Sequence, residues 1–187
     1  MPFTIFHYPI AYLFGRTNKN LSLPGLIVGS VIPDIECLFM YFFFKNYPDH
    51  FILHSLIGGI TLGTIIAIII TRFAYPYLIS IIFRVNRKEI IRNCKINYYL
   101  IISCMLGILF HIIIDYPMHT YNPIFFPWID HEIMIGPLVW LFSFDGDIQL
   151  GFLISNSIET IVMAIIGINI LYKNKGNDLW NNLLVEI

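Results

Sequence analysis

The chain has 187 residues, a net charge of −1, and is 57% hydrophobic, 16% aromatic and only 12% charged, whereas an ordinary soluble domain carries about 25% charged residues. That composition is a membrane protein's, and nothing in the charge balance points to a nucleic-acid partner. The cysteines, Cys37, Cys94 and Cys104, are odd in number and lack CxxC spacing, so they read as apolar fillers rather than a disulfide frame or thiolate site.

No cleavable signal peptide is visible, so the first true span is expected to serve as the insertion signal. Residues 3–14 form a short amphipathic piece, too short to cross about 30 Å of hydrocarbon, and read as re-entrant or interfacial. Residues 21–44 are of spanning length but hold Pro24, Pro33, Asp34 and Glu36, which predicts a broken span covered by protein or a polar cavity. Residues 51–73 are the cleanest span, with His54 and Ser55 in its first turn and Gly58, Gly59 and Gly63 for close packing. Residues 74–97 follow as a loop with Arg84, Arg87, Lys88, Arg92 and Lys95 against a single Glu89, the pattern of a cytoplasmic segment.

The third span is expected over residues 98–116 and the fourth over 151–172. Between them, residues 117–150 carry Asp130, Glu132, Asp145 and Asp147 and no Lys or Arg, so this side reads as external. Its apolar part, residues 133–144, is too short to cross and is expected to lie on or dip into the outer surface. Four spans, one all-α integral bundle over residues 1–187, and both termini on the cytoplasmic side of the plasma (inner) membrane fit the whole pattern. No repeat or linker is found.

The polar residues of these spans gather at one depth. His111 and Asp115 are four residues apart, so a helix places them on one face, where an imidazole and a carboxylate can share a divalent ion. Pro117 forbids a regular helix through His119, which is expected on a loop or new turn beside them. Asp34 and Glu36, about 200° apart on a helix, share a face only if the backbone after Pro33 is extended. Glu159 lies about 12 Å into the fourth span, a little deeper on the same side. Unpaired, Asp34, Glu36 and Glu159 together would cost on the order of 10 kcal/mol, comparable to a domain's net stability. No Lys or Arg accompanies them in the outer halves of the spans, so one or more metal ions, with His54 and His111 as neutral co-ligands, are the economical counter-charge. A hydrated vestibule in which each carboxylate meets water or a backbone donor is the alternative. His50, after Pro48-Asp49, reads as a solvated loop residue, and His7 can reach the site only if residues 1–20 fold back between the spans.

The opening Met1-Pro-Phe-Thr-Ile-Phe-His7-Tyr-Pro, the block Gly29-Ser-Val-Ile-Pro-Asp34-Ile-Glu36, His54-Ser55, and His111-xxx-Asp115 with the Pro/aromatic stretch 123–128 occur in the order found in the membrane-bound metal-dependent hydrolases of bacteria and archaea. The chain resembles that family, which includes inner-membrane proteins described as LexA-binding and looks like a membrane relative of zinc-dependent phospholipase C and P1 nuclease. The resemblance covers residues 1–128 and implies a helical bundle with His7, Asp34, His54, His111 and Asp115 as ligand candidates for one to three ions, most readily Zn²⁺. Relatives often carry His-Arg-Gly-x-Thr-His-Ser where this chain has His50-Phe-Ile-Leu-His54-Ser, so an obvious phosphate clamp is missing.

The ligand candidates are therefore His7, Asp34, His54, His111, Asp115 and His119. Two functions compete for them. The first is a metal-dependent hydrolase of a lipid phosphoester or similar amphiphile at the outer leaflet, with membrane lipid as environment and substrate, Glu36 or failing it Glu159 as proton acceptor, and residues 120–144 as a cover. The second is a divalent-ion carrier, which predicts polar residues continuing inward, whereas residues 64–71 and 162–168 are almost wholly apolar. A membrane adaptor using basic residues 84–95 leaves the outer cluster unexplained. The topology predicts labelling from outside of single cysteines at Asn46 and Asp147 but not at Asn93; outside labelling at position 93 would overturn the convergence of the site residues on the outer side.

Overall fold

The computed structural model of the chain describes residues 4–44, 50–129, 134–176 and 178–185. Every regular element among them is a helix, and four helices, Leu23–Phe43, Leu56–Phe83, Tyr98–Met118 and Ile148–Lys173, are long and apolar enough to cross a bilayer. The chain is an all-α, multi-pass membrane protein, as its composition predicts.

A 3₁₀ turn, Thr4–His7, leads into α1 (Tyr8–Thr17), with Pro9 in the first turn, where its missing N–H leaves no bond unmade. The side chain of Ser22 accepts the Gly25 N–H and starts α2 (Leu23–Phe43). Ser55 accepts the Gly58 N–H and starts α3 (Leu56–Phe83), which contains π-helical turns at Gly59–Gly63 and Ile70–Ala74. After α4 (Arg87–Asn93), Asn97 caps α5 (Tyr98–Asp115), which tightens at Pro117 into the 3₁₀ turn Tyr116–Met118. A short α6 (Pro137–Leu141) precedes α7 (Ile148–Lys173), capped by Asp147, and α8 (Leu179–Leu184) ends the described chain.

Several elements depart from the sequence expectation. α2 runs unbroken through Pro33 rather than opening after it. Proline costs a membrane helix less than a soluble one when neighbouring helices enclose the affected turn, and here α5 does so. α3 starts at Leu56, five residues later than expected, and continues beyond residue 73 to Phe83, so the basic stretch is a helix end and the separate α4 rather than one loop. Residues 134–144 hold only the five-residue α6, too short to cross, as expected. α8 was not foreseen. Asn46, Asp49, Asp130 and Glu132 lie outside the described residues.

The bundle is organised on the pair α2 and α5. Gly25 and Gly29 of α2 face Ser103, Cys104 and Gly107 of α5, and the two backbones nearly touch: a Cβ on Gly29 would fall on the Cys104 carbonyl and one on Gly107 on the Leu26 carbonyl. In lipid, where helices gain little from hiding apolar surface, such close approach of small residues supplies the association. Leu26, Ile32, Leu100, Cys104 and Ile108 are buried around this seam, while Phe39, Tyr41, Phe42, Ile65, Ile81 and Ile168 face outward, as lipid-exposed side chains should.

α1 lies beside α2 and runs from His7 to the end of the bundle that carries α4. There Ser22 donates through its hydroxyl to the Asn93 carbonyl. α8 closes that same end: its Leu183 and Leu184 carbonyls accept the Tyr8 and Tyr75 hydroxyls at 2.8 and 2.7 Å. His7, at the start of α1, is thus tucked into the bundle, while Ile5 faces outward.

Gly107→Val should lower stability in detergent by roughly 2 kcal/mol or more, because the added atoms have a backbone carbonyl in their place. Gly176→Ala, where nothing lies within 4 Å, should leave the thermal midpoint unchanged. Equal stability of the two variants would mean that the α2–α5 contact is not as close as described.

Candidate metal centre

The close approach of α2 and α5 brings His111 against the α2 backbone, and its Nδ1 lies 2.8 Å from the Ser30 carbonyl oxygen. A carbonyl only accepts, so Nδ1 carries the ring proton and, in the neutral ring, Nε2 presents a lone pair. His54 is fixed in the same way from the other side. Its Nδ1 stands 3.3 Å from Glu36 Oε2, and the Glu36 carboxylate also accepts the backbone N–H groups of Phe51 and Leu53 at 3.0 Å. Glu36 therefore both holds the 51–54 segment against α2 and orients His54.

The two Nε2 atoms, of His54 and His111, then face each other at 3.3 Å. Asp34 Oδ1 lies 3.6 Å from the His111 Nε2 and 4.0 Å from the His54 Nε2, and Asp115 Oδ2 lies 3.2 Å from the His111 Nε2. Two imidazole lone pairs and two carboxylates converge on one small volume. An extra proton on one ring would satisfy one of these contacts and leave the others as acceptor facing acceptor. A divalent cation satisfies all of them, and this set has the composition of a first-row divalent site.

Asp115 belongs to more than this group. His119, extended just past the 3₁₀ turn, brings its Nε2 within 3.4 Å of Asp115 Oδ2, and His7 brings its Nε2 within 3.4 Å of Asp115 Oδ1, in neither case with hydrogen-bond alignment. Three sets share this carboxylate, each with its ligand atoms within 4.8 Å of one another: Asp34, His54, His111 and Asp115; His50, Asp115 and His119; and His7, Asp115 and Glu159. None of these residues is more than 6% exposed.

The six residues expected as ligands all arrive at the cluster, His7 by the fold-back of residues 4–17. Glu36, expected as proton acceptor, stands behind His54 with its oxygens engaged. His50 departs from expectation. It is buried, with its ring centroid 4.2 Å from that of His54 and 4.5 Å from that of His119. The i,i+4 spacing of His50 and His54 is the sequence signal of this, and the preceding Pro48-Asp49 masks it by pointing to a solvated loop. Asp34 and Glu36 both turn inward although the helix is regular, because the 50–55 segment wraps round α2 to meet the second carboxylate. Cys37, read as filler, comes within ligand reach of His50 and His54.

Burial pushes the imidazoles of His7, to about 4, and of His54 and His119 below the ordinary histidine range. At His7 and His54 neighbouring histidines add to the effect of burial. At all three Asp115 pulls the other way. The neutral ring is the ligand form. On the side away from the basic end the cluster is covered by the 116–124 segment, held by Gly136 N–H to the His119 carbonyl, Leu56 N–H to the Ile124 carbonyl and the Asn156 amide to the Met118 carbonyl. The cavity left between His50, His54, Asp115, His119 and Asn122 has about 10 Å³, close to what one water needs.

The chain belongs to the family described as a domain of unknown function (DUF4184), which matches residues 1–139. No curated protein and no solved structure matches the chain. The matched stretch contains His7, Asp34, Glu36, His50, His54, His111, Asp115 and His119, and it stops before Glu159.

If the convergent acceptors hold Zn²⁺, Asp115→Ala should weaken binding about 100-fold or more in a competition titration against a chromogenic chelator, since three of the four ligand groupings among the described residues share that carboxylate. Glu36→Gln should weaken binding about 10- to 100-fold by releasing His54 rather than by removing a ligand. Unchanged affinity in Glu36→Gln would mean that His54 is not oriented through Glu36.

Proposed function

We propose that this protein is a membrane-embedded, divalent-metal-dependent hydrolase of the phosphoester class, acting on a lipid or similar amphiphile at the face opposite the basic end. The observation that carries this reading is the meeting of the His54 and His111 Nε2 atoms with Asp34 and Asp115 in one small buried volume, with no Lys or Arg paired to them among the described residues. Zn²⁺ is the ion best suited to that donor set. Bound there, it would supply Lewis acidity and an acidified water.

The residues divide the remaining work. His54 and His111 present fixed lone pairs, and Asp115 joins neighbouring positions. Glu36, reassigned from proton acceptor, orients His54 through Nδ1. Asp34 faces the cluster through Oδ1 while its Oδ2 is buried without a hydrogen-bond partner, so Asp34 takes the proton of the attacking water. The 116–124 segment excludes bulk water and yields when substrate enters. The membrane is the plasma (inner) membrane. The basic α4 lies on its cytoplasmic side, together with α8 and the C-terminal end of α1, so the C-terminal end of the described chain belongs to that side, whereas His7 at the start of α1 stands at the level of the site.

Ion transit is the second reading, and the size of the cavity favours it: about 10 Å³ admits an ion or a water and no lipid headgroup. Against it, the seam toward the basic end is filled by Leu26, Ile108, Cys104, Ala67 and Leu100. That route is mostly apolar, with the hydroxyls of Ser103 and Thr71 engaged locally, whereas transport needs polar steps on both sides.

Zn²⁺-loaded protein in nanodiscs should release a chromogenic headgroup from a phosphodiester amphiphile. The rate should fall at least about 100-fold in Asp34→Asn and Asp115→Asn, the loss typical of removing a reacting or ligand group. Absence of hydrolysis across phosphomonoester and phosphodiester amphiphiles, with Zn²⁺ flux into proteoliposomes, would replace the hydrolase reading by the carrier one.

A further inference from the structure

Glu159 is the one member of the cluster contributed by α7. It points inward at 3% exposure, and neither carboxylate oxygen has a hydrogen-bond partner. His7 Nδ1 is likewise buried and unpartnered, and Asp115 Oδ1, 3.4 Å from the His7 Nε2, is in no hydrogen bond. Three residues from three distant parts of the chain thus bring unsatisfied polar atoms together, with ligand atoms within 4.8 Å of one another. No Lys or Arg is paired with either buried carboxyl group among the described residues, a costly arrangement for ionised groups in a low dielectric.

We propose that His7, Asp115 and Glu159 hold a divalent ion of their own, separate from the one between Asp34, His54 and His111, and that this ion fastens the N-terminal fold-back and the fourth span to the centre. The inference rests on the metal reading and deepens it. The ligand set has one imidazole and two carboxylates, so it is richer in oxygen than the neighbouring position with two imidazoles, and it suits a harder ion such as Mn²⁺ as well as Zn²⁺. Its structural role follows from how α7 is held. Only 28% of the most apolar window of α7 is buried. Its other polar ties in this region are few, chiefly the Asn156 amide on the Met118 carbonyl at 2.9 Å. A helix so lightly packed gains registry from a shared ion, and so does the short segment that carries His7.

The test is metal stoichiometry of the full chain, purified in detergent and loaded with Zn²⁺, measured by elemental analysis on monodisperse fractions. Glu159→Gln, nearly isosteric, and His7→Asn should each lose the same single equivalent, and the double variant should lose no more than either, because both residues serve one ion. Asp34→Asn should lose a different equivalent, so that its combination with Glu159→Gln is additive. Mn²⁺ added to the wild-type chain should give a bound electron-paramagnetic-resonance signal that Glu159→Gln lacks. Full stoichiometry in Glu159→Gln overturns this proposal and leaves the main site standing, as does loss of every ion, which would show one position instead of two. A wild-type chain that binds no ion overturns the metal reading itself. Should Glu159→Gln fail to fold, His7→Asn poses the same question from the other side of the position.

Discussion

Everything in this molecule turns on acceptors that face one another in a poor solvent. At the site, the Nε2 atoms of His54 and His111 meet Asp34 and Asp115, and Glu159 adds a carboxyl group whose oxygens have no hydrogen-bond partner. A single ionised side chain at membrane depth costs about 2.5–3.5 kcal/mol even on the most lenient scale. Three such carboxylates would absorb most of the net stability of an ordinary domain. The basic residues cannot help. Arg72, inside α3, packs over Phe73, about 24 Å along that helix from its start beside the site. On the proposed metal reading the positive charge is supplied locally, and the Nδ1 contacts of His54 and His111 turn their Nε2 atoms toward it.

That orientation is made by packing that has nothing to do with charge. Gly29 and Gly107 let α2 and α5 approach until the Ser30 carbonyl reaches the His111 ring. The same carbonyl would ordinarily serve only its own helix. Glu36 does the corresponding work for His54, because the backbone of residues 51–53 closes on its carboxylate. The glycine seam and the Glu36 anchor thus belong to the site's function as much as the ligands do, since a ligand free to rotate would lose most of its affinity to entropy and to the wrong tautomer.

Much of this was legible in the sequence. The four spans follow from apolar length, the shared face of His111 and Asp115 from the helical period, and the break before His119 from Pro117. The positions whose surroundings depart from the sequence expectation share a cause. Pro33, His50 and Glu36 each sit where local chemistry says one thing and a distant element another: α5 sustains the helix through Pro33, while the 50–55 segment wraps round α2, burying His50 and engaging Glu36. Single-residue propensity is a weak prior against contacts made from another part of the chain. α8 escaped for a related reason, since six residues of ordinary polarity give too short a period to recognise, and their stability comes from the Tyr8 and Tyr75 hydroxyls that their carbonyls receive.

The arrangement also explains why the N-terminal segment enters a membrane bundle at all. Residues 8–17 could have lain at the interface, where an amphipathic helix is stable without partners. Drawing them inside strips water from α1 and places His7 at 2% exposure, which is favourable only if the bundle offers that ring something water cannot. The His111 ring at 4.0 Å supplies packing, and Asp115 supplies charge. Neither removes the need for a ligand on the unpartnered nitrogen. On the proposed second ion, the fold-back, the orphaned atoms of Glu159 and the shared Asp115 have one common explanation, positive charge placed where α1, α5 and α7 meet.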